Sequence, residues 1–278
     1  MTSMTTMSPT PPVALTIAGV DSGGGAGIAA DLRTFSAHGV FGALAITALT
    51  AQNTTGVRGT ELIEPGFLAL QIDTVLGDLG VAATKTGMLA SAELIAVVTE
   101  QAAKGALGPL VVDPVMVATS GARLVAGDAI AAYHQLIAHA SVVTPNLSEA
   151  EALTGHRVRS LEEMRTAARE VVALGAQCCL VKGGHLVGDQ AIDLCFDGTD
   201  ETVLSSPRIQ SENVHGTGCT LSAAIAANLA LGLGLLDAIN RAKTYVAVAI
   251  ERAAAWRLGA GPGPLDHFGP LPPSVLGT

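Results

Sequence analysis

The segment HGTGC, residues 215–219, places two glycines and a thiol at the predicted start of an uncharged, alanine-rich helix. The glycines permit the backbone conformation of a tight concave loop. The first N–H groups of a helix have no partner within the helix and lie at the positive end of its dipole, where anions bind. We therefore predict an anion hole for a tetrahedral group at Gly216, Thr217, Gly218 and Cys219.

The thiol of Cys219 could be reactive or merely packed. A cysteine at a helix N-terminus has a lowered pKa, which would make it a partial thiolate able to act as a nucleophile or a weak base. A small buried cysteine is the alternative interpretation of the same residues. A cysteine protease is disfavoured, because nothing near His215 or elsewhere identifies the histidine and asparagine partners that such an enzyme needs.

Oxygen-bearing side chains follow two of the predicted strands. Asp113 ends the apolar run PLVVD, and Asn146 and Glu149 lie three residues apart in TPNLSEAE. Such groups could hold the waters of a Mg²⁺ ion that is bound mainly by phosphates. The same spacing is also that of a helix cap, with Asn146 as the N-cap and Glu149 as its capping-box partner. Both interpretations stay open from the sequence.

The glycine-rich segment GVDSGGGAG follows the first predicted strand and precedes a helix that contains Asp31. It lacks the Gly-x-Gly-x-x-Gly spacing of a dinucleotide site, and the sequence has no Walker pattern. In such a loop the backbone can approach a flat ligand closely, while Asp31 could equally be a solvated carboxylate of the first helical turn. Lys182, before two further glycines, could neutralise nucleotide phosphates or could be an exposed lysine at a strand end.

The predicted strands and helices that must position these side chains alternate along the chain. Short apolar runs that begin at residues 13, 42, 81, 109, 141 and 178 predict buried strands, and helices are predicted at 66–80, 91–104, 126–139, 160–174, 217–231 and 235–256. A hairpin is predicted around Asp197–Gly198. The alternation predicts an α/β fold with a mostly parallel sheet covered on both faces. Because ligands of such sheets bind beyond the carboxyl ends of the strands, the polar segments should meet there.

Composition limits the class of protein. The 278-residue chain is 49% apolar, 14% charged and 3% aromatic, with a formal charge of −9. This apolar fraction predicts a globular protein with a sizeable core. The acidic balance and the few aromatic rings argue against nucleic acid as a partner. Two uncharged stretches, 39–57 and 213–236, are interrupted by polar residues or glycines, so neither is predicted to span a membrane.

The domain organisation predicted from the sequence is simple. No Ser- or Pro-rich linker divides the chain, so we expect one domain at residues 13–268. Residues 1–12 are predicted to form a disordered extension, and residues 269–278 a loosely held tail. The first twelve residues lack the basic region of a signal peptide, which leads us to expect a cytoplasmic protein.

Eight segments in this order resemble the hydroxymethylpyrimidine/phosphomethylpyrimidine kinases of the ribokinase-like superfamily. They are ALTIAG.DS.GGAGI.AD, TALTAQNT.GV, KTGMLA, DPVMVA.SG, TPNL.EAE.L.G, VKGGHL, HGTGCTLSAAIAA and GPGPLDHF, and they span about residues 13 to 268. The resemblance implies a three-layer α/β/α sandwich with a mostly parallel central sheet, usually dimeric. It implies transfer of the γ-phosphoryl group of Mg-ATP to the pyrimidine alcohol and then to the resulting monophosphate, in thiamine biosynthesis.

The resemblance also implies roles for residues at matching positions. Gln52 and Asp31 would hold the amino and ring-nitrogen edge of the pyrimidine. The residues around that edge would be Gly19, Ala26, Met88 and Val115. ATP would be bound by Lys182, Asp113 and Asn146. Mg²⁺ would be held by Glu149 and Asp113, largely through phosphates and water. Cys219 would occupy the position of the catalytic base.

Gln52 is the most informative of these residues. Its amide can both donate and accept hydrogen bonds to an aminopyrimidine, whereas relatives that phosphorylate pyridoxal look to carry an apolar Met there. A pyridoxal kinase and a non-catalytic pyrimidine sensor are the alternatives. The chain departs from the usual pattern at four positions, which are Val20, Gly23, Ala29 and Thr119. Thr119 replaces a usual lysine, whose charge would have helped the second transfer. Residues 50–58 are a candidate loop over the substrate.

Overall fold

A computed structural model of the protein describes residues 10–116, 129–184, 186 and 188–268. The strands are β1 (Val13–Asp21), β2 (Phe41–Asn53), β3 (Gly56–Leu62), β4 (Val81–Thr86), β5 (Leu110–Val112), β6 (Val142–Val143), β7 (Cys179–Gly183), β8 (Gln190–Phe196) and β9 (Glu201–Pro207). The helices are α1 (Gly27–Ala37), α2 (Pro65–Leu76), α3 (Ala92–Ala103), α4 (Ala129–Ile137), α5 (Leu147–Thr154), α6 (Leu161–Ala173), α7 (Thr217–Ala230) and α8 (Leu235–Ala253).

The strands form one sheet in the order β3-β2-β1-β4-β5-β6-β7-β8-β9. The six strands from β2 to β7 in this order pair in parallel, and β3, β8 and β9 are antiparallel to their neighbours. This arrangement confirms the mostly parallel sheet and the hairpin around Asp197–Gly198. Position 119 and the 269–278 tail lie outside the described residues, as do residues 1–9 of the predicted extension.

Strand β3 was not predicted, and the interpretation of residues 50–58 as a loop is corrected. Residues 50–53 are the end of β2, which turns at residues 54 and 55 and pairs antiparallel with β3. The side chains of β3 are mostly exposed at the edge of the sheet. An exposed edge strand has no apolar alternation, so its sequence, GVRGTEL, gives no strand pattern.

Side chains alternate between two apolar cores on the two faces of the sheet. Leu15, Val112 and Cys179 belong to one core, which contains residues of α2 to α6. Their strand neighbours point the other way, and Ala14 and Val111 pack in the second core with residues of α1, α7 and α8. The two cores place helices on both faces and confirm the predicted three layers.

Helix α7 is buried along most of its length, from Thr220 to Asn228. Its alanines let it pack closely against α1, α8 and β4. Within the described part of the chain no helix is both long and apolar enough to cross a membrane. The position of α7 in the second core brings its first turn to the carboxyl edge of the sheet.

Candidate active site

The predicted anion hole lies at the start of α7. Gly216 is the N-cap residue, with a φ of 82° in the left-handed region that favours glycine. A Cβ at this position would collide with the carbonyl oxygen of Gly25, so the first turn of α7 is in contact with the glycine-rich loop after β1. Thr217, Gly218 and Cys219 then form the first turn, whose N–H groups cannot be satisfied within the helix.

Lys182 and Asp113 meet beside this helix start. The Nζ of Lys182 lies 2.8 Å from Oδ1 of Asp113 and 3.8 Å from Oε2 of Glu149. A Cβ at Gly218 would lie 3.2 Å from the same Nζ. The side chain of Lys182 is 14% exposed and that of Asp113 is 1% exposed, so the interpretation of Lys182 as an exposed strand-end lysine is wrong. The structure thus brings a cation to the edge of the predicted anion hole.

Asn146 and Glu149 form the capping box that their spacing predicts. The backbone N–H of Glu149 donates to Oδ1 of Asn146 at 2.9 Å, and the backbone N–H of Asn146 donates to Oε2 of Glu149 at 2.7 Å. Glu149 also faces Lys182, so its capping function does not exclude a place in the site. A contact between Asn146 and the nucleotide stays a prediction.

Burial and charge shift the pKa values of this cluster in different directions. Burial raises the pKa of Glu149 to about 7, with Asp113 adding to the increase and Lys182 opposing it. Burial would also raise the pKa of Asp113, but Lys182 and Lys85 outweigh it and the pKa is lowered. The pKa of Lys182 is raised, because Asp113 and Glu149 overcome the opposite effect of burial. Lys182 and Asp113 are therefore an ion pair at neutral pH.

Replacing Glu149 with glutamine is expected to change how stability depends on pH between 4.5, its ordinary value, and about 7. In this window the wild-type folded state binds more protons than the unfolded state, so the free energy of unfolding falls as the pH rises. The full shift corresponds to about 3 kcal/mol. Urea unfolding at several pH values should show Glu149→Gln gaining stability relative to wild type as the pH rises to 7.

Glu151, which is partly exposed on the same helix, provides a matched control. The backbone N–H of Val158 and the side chain of Arg159 lower the pKa of Glu151, so Glu151 titrates below this window. Glu151→Gln should follow the wild-type pH dependence. A Glu149→Gln protein with an unchanged pH dependence would contradict the raised pKa.

The carboxylates beside Lys182 fit a magnesium ion whose other ligands are phosphate oxygens and water. Among the described residues there is no group of three or more His, Cys, Asp or Glu side chains placed to hold a metal. Mg²⁺ commonly uses one or two carboxylates together with phosphate oxygens and water. Asp113 and Glu149 supply two carboxylates at one edge of the sheet, which matches that mode of binding.

The thiol of Cys219 is not activated as its helix position suggested. Burial raises its pKa to about 11, with Lys85 opposing the increase and Asp31 adding to it. The expectation of a partial thiolate is wrong, because the cost of burying a charge exceeds the stabilisation of the thiolate by Lys85. Cys219 is a neutral thiol at pH 7.

Asp31 lies in a fully buried ion pair rather than in solvent. The Nζ of Lys85 lies 3.0 Å and 2.8 Å from its two carboxylate oxygens, and the hydroxyl of Thr16 donates to Oδ2 at 2.7 Å. Both side chains of the pair are 0% exposed, so the interpretation of Asp31 as a solvated first-turn carboxylate is wrong. The predicted contact between Asp31 and the pyrimidine would require this pair to open.

The other predicted substrate residues lie at the ends of β1, β2, β4 and β5. A Cβ at Gly19 would lie 2.5 Å from Cε of Met88, so these two residues are in contact. The backbone N–H of Ala26 points to Asp21, and that of Val115 donates to the carbonyl of Asp113 at 2.8 Å. Gln52, near the end of β2, approaches His215. Their contacts with a substrate stay predictions.

Asp21 and His215 organise the glycine-rich loop and were not selected from the sequence. The carboxylate of Asp21 accepts hydrogen bonds from the N–H groups of Gly23, Gly25 and Ala26 at 2.8, 3.1 and 2.9 Å. The Nε2 of His215 lies 2.8 Å from the same carboxylate. An acidic residue inside a glycine run was the available signal, since such loops need an acceptor for their N–H groups.

A segment that we call the C-terminal strap, residues 259–268, crosses the start of α7. The N–H of His215 donates to the carbonyl of Gly263 at 3.0 Å, and the N–H of Gly261 donates to the hydroxyl of Thr54 at 3.2 Å. His267 Nε2 lies 2.8 Å from the hydroxyl of Thr220. Burial lowers the pKa of His267 to about 4, so this histidine is neutral at pH 7. The strap therefore links the β2–β3 turn to the first turn of α7.

A family model described as phosphomethylpyrimidine kinase matches residues 21–266. The chain belongs to the phosphomethylpyrimidine kinase family. It is 50% identical to the hydroxymethylpyrimidine/phosphomethylpyrimidine kinase of Rhizobium meliloti, over 92% of this chain and 97% of that protein. It is 43% identical to the Escherichia coli protein of the same description, over 92% of this chain and 97% of that protein.

Solved structures of related kinases share this fold. The phosphomethylpyrimidine kinase of Clostridium difficile has a TM-score of 0.77 and 41% identity, over 86% of this chain and 99% of that one. An ADP complex of Bacillus subtilis pyridoxal kinase has a TM-score of 0.85 and 36% identity, over 93% of this chain and 98% of that one. These likenesses confirm the predicted ribokinase-like fold, and the family assignment confirms the predicted class of enzyme, a phosphotransferase.

Proposed function

We propose that this protein uses Mg-ATP to phosphorylate 4-amino-5-hydroxymethyl-2-methylpyrimidine and then its monophosphate, for thiamine biosynthesis. The observation that carries the proposal is the juxtaposition of Lys182 and Asp113 with the first turn of α7, in a chain that belongs to this family. A related kinase from Staphylococcus aureus was crystallised with the ATP analogue AMP-PCP, which supports ATP as the donor.

Phosphoryl transfer depends on in-line positioning and on stabilisation of negative charge. The N–H groups of Gly218 and Cys219 would face the migrating phosphoryl group, and the ammonium group of Lys182 would offset its charge. Asp113 holds Lys182 in place through the 2.8 Å ion pair. Asp113 and Glu149 would hold Mg²⁺, which neutralises phosphate charge when bound.

The acceptor decides how much base catalysis is needed. The hydroxyl of the first substrate must lose a proton, whereas a phosphate monoester has a second pKa near about 6 and is already largely ionised at neutral pH. A thiol with a pKa of about 11 is a weak catalyst of proton transfer at neutral pH. We propose that the small thiolate fraction of Cys219 accepts the proton of the hydroxyl in the first step, and that Cys219 matters little in the second.

Replacing Cys219 with serine is expected to slow phosphorylation of the alcohol by about tenfold or more and to affect phosphorylation of the monophosphate less. A hydroxyl holds its proton more tightly than a thiol, which hinders the first step alone. Single-turnover rates with each purified acceptor measure the two effects separately. Equal losses in both steps would contradict a base function of Cys219.

One experiment tests the proposed function. The protein is incubated with Mg-ATP and either hydroxymethylpyrimidine or pyridoxal, and the products are weighed by mass spectrometry. We expect the monophosphate and diphosphate of the pyrimidine. Pyridoxal kinases are among the structural relatives, so phosphorylation of pyridoxal alone would favour that alternative. A protein that binds the pyrimidine but phosphorylates neither compound would be a sensor.

We further propose that the chain forms a homodimer through the β3 edge of the sheet. Large apolar side chains are exposed on neighbouring elements there, namely Leu49 and Leu62 on the β2–β3 hairpin and Phe67 and Leu70 on α2. An exposed edge strand with apolar neighbours is the type of surface that a second subunit covers.

A cytoplasmic location of the protein also stays a prediction.

Replacing Leu62 with glutamate is expected to convert the dimer to monomers, because it places a charge in the covered surface. Light scattering coupled to size-exclusion chromatography measures the mass. Val203 on the opposite edge of the sheet is similarly exposed, at 44% against 50% for Leu62, so Val203→Glu is the matched control and should remain dimeric. A monomeric wild-type protein, or a dimeric Leu62→Glu protein, would refute this interface.

A further inference from the structure

The side-chain amide of Gln52 lies between two polar partners. Its Nε2 position is 3.5 Å from Nε2 of His215, and its Oε1 position is 3.2 Å from the hydroxyl oxygen of Thr50. A half-turn of the amide exchanges these two positions with almost no change in shape. The hydrogen atoms of the two partners therefore decide which orientation is stable.

The Nε2 atom of His215 faces Gln52 but has no lone pair to offer its amide. Its Nε2 is 2.8 Å from Oδ2 of Asp21, a carboxylate that only accepts hydrogen bonds when ionised. Although burial raises the pKa of Asp21, the contacts with His215 and backbone N–H groups lower it overall, so Asp21 is ionised. The Nε2 atom of His215 therefore carries a hydrogen that it donates to Asp21, and it cannot accept a hydrogen bond from the amide nitrogen of Gln52.

Thr50 presents a lone pair toward Gln52. A hydroxyl has one hydrogen to donate. The hydroxyl oxygen of Thr50 is 2.9 Å from the backbone carbonyl oxygen of Val20, which can only accept, so the hydrogen is donated there. With its hydrogen used there, the hydroxyl oxygen of Thr50 can accept from the amide nitrogen of Gln52 but cannot donate to the amide oxygen.

We infer that His215 and Thr50 are specificity-determining positioning residues that hold the Gln52 amide with its oxygen toward His215 and its nitrogen toward Thr50. The opposite orientation would set two donors against each other at His215 and two acceptors against each other at Thr50. The inference rests on the proposed function, in which Gln52 contacts the pyrimidine.

The consequence is a fixed order of donor and acceptor on the free edge of the amide. One N–H of Gln52 and one lone pair of its oxygen remain for a ligand. An aminopyrimidine offers the complementary pair, a ring-nitrogen acceptor beside an amino-group donor. Pyridoxal has no amino group next to its ring nitrogen, so a fixed amide discriminates between the two ligands, whereas an amide free to rotate discriminates less.

Two variants test the inference: one lacks the hydroxyl of Thr50, and the other replaces threonine but keeps a hydroxyl. Thr50→Val is expected to raise KM for the pyrimidine about fivefold, the effect of one neutral hydrogen bond, with a smaller change in kcat. The inhibition constant of pyridoxal, measured against the same reaction, should change less than twofold. Thr50→Ser, which keeps the hydroxyl, should return KM to near the wild-type value.

Thr60 pairs with Thr50 across the β2–β3 hairpin and is exposed, so Thr60→Val controls for a general effect on the hairpin. Thermal unfolding of all variants identifies any that fail to fold. If wild-type protein phosphorylates the pyrimidine while Thr50→Val keeps its KM, or while Thr50→Ser is as impaired as Thr50→Val, the inference is overturned and the proposed function stands. If wild-type protein does not phosphorylate the pyrimidine, the proposed function itself fails.

Discussion

Replacing Lys182 with methionine is expected to lower kcat for both phosphorylation steps by about 10²–10³-fold, the usual effect of removing one preorganised group that stabilises transition-state charge. The ammonium group lies beside the first turn of α7, and methionine keeps most of the side-chain volume while removing the charge. Both steps should suffer, because each moves the same γ-phosphoryl group of ATP. Steady-state kinetics with each acceptor measures the loss.

Lys243 provides a matched control for this substitution. Its Nζ is 2.7 Å from Oδ2 of Asp193 and its side chain is 14% exposed, the same fraction as for Lys182. It joins α8 to β8 through the carbonyl of Ala191 and the carboxylate of Asp193. Lys243→Met should lose a similar ion pair and keep kcat near wild type. Similar losses in both variants would show that the effect of Lys182→Met is structural.

Replacing Lys85 with methionine is expected to lower the free energy of unfolding by about 3–5 kcal/mol, the typical cost of removing one partner of a buried pair. Asp31 would remain fully buried without its counter-ion. Burial already raises the pKa of Asp31, with Lys85 opposing the increase, so removing Lys85 raises it further. Urea denaturation monitored by circular dichroism measures the change.

The loss of unfolding free energy in Lys85→Met is expected to depend on pH. The unfolded Asp31 keeps its ordinary pKa near 3.8, so the penalty in Lys85→Met is greatest above the raised folded value and shrinks as the pH falls toward 3.8. Adding Asp31→Asn should recover much of the stability at neutral pH. Lys104→Met removes an exposed ion pair with Glu100 and should leave stability nearly unchanged. A loss in Lys85→Met that is independent of pH and of Asp31 would contradict a charge effect.

The sequence predicts most of the sheet because buried parallel strands are short apolar runs between glycines, prolines and polar residues. It also predicts that Asp113 and Lys182, 69 residues apart along the chain, lie at one edge, because parallel strands end on the same side. Strand β3 is exposed and carries no such pattern. Local apolar patterns therefore predict the buried strands of the sheet but not the strand that is exposed to solvent.

Interactions between distant residues set the parts of the site that the sequence did not predict. The pairing of Asp31 with Lys85 joins residues 54 apart, and neither helix nor strand patterns select a partner at that distance. The pKa of Cys219 depends on how deeply its helix start is covered, which the five residues HGTGC do not encode. Burial and partner choice are properties of the assembled fold.

The C-terminal strap determines when this site can exist during biosynthesis. Residues 259–268 are translated after every strand of the sheet, yet their contacts bind His215 and the first turn of α7. The glycine-rich loop after β1 is translated long before His215, so Asp21 lacks its contact with His215 until that residue has emerged. A nascent chain can pair its strands as they emerge, but the predicted anion hole at the start of α7 lacks its contacts with the strap until residues 259–268 have followed.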